Sequence, residues 1–157
     1  MKKIISILGL MVLVVLTAVG CGTKTGKEAS APVSEIVDKI QGEKEWPILM
    51  DLDDTTLNEI YGIDLSLLEE YAVKIPMMNI KTNELAVIKV KDEAKVEEVK
   101  KNVEQRAEMV KQSFEHYLPD QYEIAKNYLL EVKGKYILFV IDEDADKAQE
   151  VFNSYFK

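Results

Sequence analysis

The chain has 157 residues and is acidic, with a formal net charge of −8 and a sequence pI near 4.8. Such a balance carries no broad basic footprint for phosphate backbones, which argues against nucleic acid as a partner. One cysteine, Cys21, and one histidine, His116, leave no material for a disulfide, a Cys-ligated metal or a histidine cluster, so no cofactor and no metal are expected.

Lys2 and Lys3 open the chain, an uncharged apolar run follows from Ile4 to Val19, and Ala18-Val19-Gly20-Cys21 closes it. That order resembles the lipobox of bacterial lipoproteins, with Ala18 where leucine is more usual. The run is shorter than the ~20 apolar residues of a permanent spanning helix. It reads as an export signal over residues 1–20, with lipid attachment, palmitate among the candidate acyl groups, at Cys21. Two acyl chains supply the two-signal anchoring that one chain cannot. Cleavage before Cys21 removes Lys2 and Lys3 and takes the net charge to −10. The expected location is the outer face of the cell membrane, held there by lipid. Residues 21–32 are small and polar, carry no large apolar side chain and read as a tether. A single α+β domain is expected over residues 33–157.

Val33, Ile36, Val37 and Ile40 share one helical face, and Gly42 ends it. Ile48-Leu49-Met50-Asp51-Leu52-Asp53-Asp54-Thr55-Thr56-Leu57 resembles the nucleophile motif of haloacid-dehalogenase phosphatases. There, Asp51 would attack phosphorus, Asp53 would serve as acid and base, and both would help hold Mg²⁺. That chemistry also needs a parallel βαβ core and a later acidic pair, for which only Ile141-Asp142-Glu143-Asp144 is available. The preferred reading of Asp51 and Asp53 is an acidic loop and helix cap, with the Mg-dependent phosphatase as the alternative.

Tyr71 to Asn79 reads as an extended segment broken or placed at an edge by Pro76. Glu84 to Lys91 is its hairpin partner, with Ala86, Ile88 and Val90 toward the core and Leu85, Val87 and Lys89 on the other side. Asp92 caps a long helix in which Val96, Val99, Val103, Ala107, Val110, Phe114 and Tyr117 recur at helical spacing. It is expected to end near Leu118, before Pro119, after about 27 residues or ~40 Å. Arg106, the one arginine, lies on that apolar stripe. The position points to planar pairing with a carboxylate, with snorkelling from the stripe's edge as the alternative. Asp120 to Lys126 is a helical turn. Tyr128 to Val132 and Lys135 to Ile141 form a hairpin with Gly134 at its second turn position, and the latter strand is continuously apolar, hence central. Asp142 or Asp144 caps a last helix presenting Ala145, Ala148, Val151, Phe152 and Tyr155.

Hairpin, acidic cap and helix thus occur twice. The ββα-ββα order predicts a four-stranded, mostly antiparallel sheet with one long and one short helix on one face. The other face is open or covered by Val33 to Glu70.

No catalytic residues emerge. His116 near a helix C-terminus suits helix-end charge compensation, and Met50, Met77, Met78 and Met109 suit core or adaptable surface. Tyr61, Tyr71, Tyr117, Tyr122 and Tyr128 are candidate exposed aromatics for binding.

Several segments together carry a resemblance: Glu59-Ile60-Tyr61-Gly62-Ile63-Asp64, Tyr71 to Asn79, Glu84-Leu85-Ala86-Val87, Arg106-Ala107, Tyr117 to Tyr122 and Gly134 to Phe139. In this order they resemble the DUF4358 family of bacterial lipoproteins. The resemblance implies a lipid-anchored extracytoplasmic protein and brings no catalytic residues. The expected function is a non-enzymatic binding or envelope-associated module with a protein or ligand partner.

Overall fold

A computed structural model describes residues 28–156; the expected signal segment, Cys21 and most of the expected tether lie outside them. The elements in chain order are α1 (Val33–Gly42), β1 (Leu49–Asp51), α2 (Asp54–Tyr61), β2 (Leu68–Pro76), β3 (Glu84–Val90), α3 (Val96–Phe114), α4 (Pro119–Lys126), β4 (Leu129–Lys133), β5 (Tyr136–Ile141) and α5 (Ala145–Ser154). Short 3-10 turns at Leu65–Leu67 and Glu93–Lys95 precede β2 and α3.

The α+β class is as expected, but the sheet has five strands, in the order β1-β2-β3-β5-β4, all pairs antiparallel. The added strand is β1, which sequence reading placed in an acidic loop. It is three residues long and two of them are exposed, so alternation has too few positions to register.

The helices occupy both faces: α3 and α5 lie on opposite faces and not on one as expected, and α1, from the Val33–Glu70 segment, shares the cover of the second. On the first face α2, α3 and α4 pack on Ala86, Ile88, Val90, Ile137, Phe139 and Ile141. On the second, α1 and α5 pack on Leu85, Val87, Tyr136, Leu138 and Val140. The cause lies in β3 and β5, whose residues are buried throughout except at Lys89. A strand apolar on both faces needs cover on both.

The long helix is shorter than expected, 19 residues, and the turn expected after it is a helix of its own. A 3-10 turn precedes α3, which runs from Val96 to Phe114, and Pro119 opens a separate α4 as its first residue. In the β4–β5 hairpin the loop is Gly134-Lys135, so glycine takes the first central position, not the second, with φ of +55°. Two residues of the expected tether make contacts with the domain. Ser30 N–H donates to the Tyr155 carbonyl, and Glu28 accepts from the Tyr136 hydroxyl and pairs with Lys89. Among the described residues no helix is long and apolar enough to cross a membrane.

Strand β3 gives the domain two distinguishable ends. Glu84 pairs with Ile141 at one, and Lys89 pairs with Tyr136 at the other, where Glu28 sits. Phe152, fully buried on the inner side of α5, tests the second face. Phe152→Ala should lower unfolding stability by about 3–5 kcal/mol in urea titration, since the cavity adds to the lost transfer energy.

Candidate functional site

Glu84, the first residue of the central strand β3, is fully buried. A carboxylate removed from water there needs charge and hydrogen-bond compensation. Arg106 on α3 supplies both: Nε donates to Glu84 Oε1 at 2.9 Å and Nη2 to Oε2 at 3.0 Å. The Tyr61 hydroxyl at the end of α2 donates to the same Oε1 at 2.6 Å, and the guanidinium sits 5.8 Å over the Tyr61 ring centroid. The planar pairing expected of Arg106 is therefore present; in the sequence its partner Glu84 shows only as the start of a strand.

Each member is placed by local structure. Asp53 caps α2 by accepting from Thr56 N–H at 2.8 Å, and Gly62 ends the helix with φ of +65°, a left-handed conformation that glycine adopts freely. Asn102 Nδ2 donates to the Gly62 carbonyl at 2.7 Å, fixing that turn one helical turn before Arg106. Burial would lower the Arg106 pKa, but Glu84 and Tyr61 more than offset it and hold it above its ordinary value. Burial, then the charge of Glu84, raises the Tyr61 phenol well above 10, so it stays a donor.

Beside this triad lies an open cleft of about 470 Å³ between the β2–β3 loop and the C-terminal half of α3. Glu84 and Arg106 lie at its base, Val110 and Phe114 form one wall, and Met77, Met78 and Tyr117 stand at its rim. The three rim side chains are 62%, 56% and 57% exposed, large for apolar groups so close together. Of the five tyrosines expected to be exposed, Tyr117 is. Tyr61 is buried, Tyr71 donates to Asp54, and Tyr122 and Tyr128 pack against the first core.

The remaining candidates are dispersed. Asp51 pairs with Lys74 at 2.6 Å on the edge strand, apart from the capping role of Asp53. The described strands supply no parallel core for phosphatase chemistry. Asp142 is buried and accepts from Asn83 Nδ2 at 2.8 Å, from Asp144 N–H at 2.8 Å and from Lys44, which makes it a structural hub at the head of α5. His116 is 90% exposed beside Glu115. Met50 and Met109 are exposed away from the cleft lining. Among the described residues no group of three or more His, Cys, Asp or Glu could hold a metal ion. Cys21 lies outside the described residues.

A family model described as Domain of unknown function (DUF4358) matches residues 45–142, a span that contains all three triad members and the whole cleft lining. No curated protein and no solved structure matches the chain.

The triad makes a sharp stability prediction. Arg106→Met should cost about 3–5 kcal/mol because it strands the buried Glu84 carboxylate, whereas Tyr61→Phe/Glu84→Met/Arg106→Met should regain most of that loss. Urea midpoints of the two variants check it.

Proposed function

The chain belongs to the DUF4358 family, and we propose that it is a non-catalytic binding module, tethered to the outer face of the cell membrane through lipid on Cys21, that takes its ligand in the cleft beside Arg106. One observation carries the binding reading: the fixed Tyr61–Glu84–Arg106 triad forms the base of a cleft whose rim is made of exposed Met77, Met78 and Tyr117. Pockets that mix apolar walls with a few placed polar groups are the usual form of ligand sites. Methionine adds side chains that can adapt to a partner's shape.

The chemistry at the base supports binding over catalysis. Glu84 is fully buried and already accepts three hydrogen bonds from Tyr61 and Arg106, so it is poorly placed to take a proton from a substrate. The tether reading rests on the charged, apolar and small-residue order that precedes Cys21.

Two experiments test these readings separately. Cells fed an alkyne-tagged fatty acid should label the chain, and Cys21→Ala should lose the label and leave the membrane fraction; a variant that keeps its label contradicts the anchor. A photoreactive phenylalanine analogue placed at Met78 or Tyr117 should give crosslinked adducts in intact cells, while one at Glu150 on α5 should not. Tyr117→Ala should abolish the Met78 adduct yet change stability by no more than about 0.5 kcal/mol, as expected for an exposed side chain. Equal crosslinking from Glu150 contradicts the cleft.

A further inference from the structure

Resting on the reading that the cleft is the binding site, we infer that its ligand carries a single carboxylate on an apolar chain. A guanidinium has five N–H donors in a rigid fork. Arg106 commits Nε and Nη2 to Glu84, and Nη1 has no hydrogen-bond partner among the described residues. It is also not among their buried atoms lacking a partner, so it meets solvent, and Arg106 lines the cleft. The bidentate pair holds that free edge in place before any ligand arrives. Such preorganisation lowers the ordering cost of binding.

Charge sets the valence. Glu84 is the sole acidic side chain on the cleft lining, and its charge is cancelled by Arg106. Lys81 is the other cation on the lining and makes no ion pair among the described residues, which leaves one positive charge in excess. One carboxylate brings the site to neutrality. A phosphate dianion finds no arginine cluster here, in a chain whose net charge is −8. The negative end of the α3 dipole falls at Phe114, about two turns beyond Arg106, and such effects fade within the last turn. It therefore reaches the apolar rim and not the guanidinium. Val110, Phe114, Met77, Met78 and Tyr117 then offer apolar surface for the rest of the ligand.

Two sources share this chemistry: the C-terminal residue of a peptide and a free apolar acid. The test uses the full chain in a neutral detergent with ¹³C-methyl methionine, following the Met77 and Met78 signals. The probes are acetyl-Ala-Phe with a free carboxylate, its C-terminal amide, 4-phenylbutyrate and 4-phenylbutanamide. The acids should shift both signals, and the amides should bind about 10-fold more weakly or worse, as losing a hydrogen bond to a charged group implies. Lys81→Met, an exposed change that leaves the core intact, should weaken the acids several-fold and leave the amides unchanged. Tighter binding of the peptide acid assigns the ligand to chain termini, and tighter binding of phenylbutyrate assigns it to free acids. Acid and amide binding equally well overturns the carboxylate inference while the cleft reading survives. If none of the four probes moves either signal, the cleft reading falls as well.

Discussion

A carboxylate with no access to water sits at the head of the central strand, and much of the domain's arrangement follows from keeping it satisfied. Glu84 is fully buried, and its two oxygens receive three donated hydrogen bonds from α2 and α3. A buried ion pair adds little net stability over an apolar core of equal volume, but losing one partner is costly. Its value here is positional. Arg106 can meet both Glu84 oxygens at one rotation and one height of α3, and Tyr61 fixes the end of α2 to the same point. The long helix is thereby locked in register on the sheet, which uniform apolar packing of Val99, Val103 and Ala107 does less sharply.

That lock also shapes the cleft. With Arg106 pinned, Val110 and Phe114 are carried to the wall facing the β2–β3 loop, and Met77, Met78 and Tyr117 meet across the opening. The other end of β3 is built differently. Lys89 there binds Glu28 and Glu69, Lys135 joins the same cluster, and the Tyr136 hydroxyl donates to Glu28. Glu28 thus sits at one end of β3 while the cleft opens at the other.

Much of the architecture was legible because it follows from periodicity. The helical stripe of α3, the two hairpins and the continuous apolar run of β5 are each long enough to display their repeat. Three features were not. Strand β1 has three residues, too few to alternate. Leu85 and Val87 look like a secondary face until α1 and α5 are seen covering it, a fact of topology and not of local pattern. Glu84 reads as a solvated strand end because its partners lie 22 and 23 residues away. The visible half of that pair was Arg106, the sole arginine among lysines and placed on an apolar stripe. A search for an acid opposite it, at a strand end of matching height, was the signal available for Glu84.

One buried, bidentate ion pair positions α3 and the base of the cleft. Because Arg106 is the only arginine in the chain, a ¹⁵N spectrum contains one arginine Nε–H signal and needs no assignment. This signal should be sharp, exchange slowly with water and disappear into fast exchange in Glu84→Gln. A signal that exchanges as quickly as in free arginine, or that is indifferent to Glu84→Gln, would contradict this positioning.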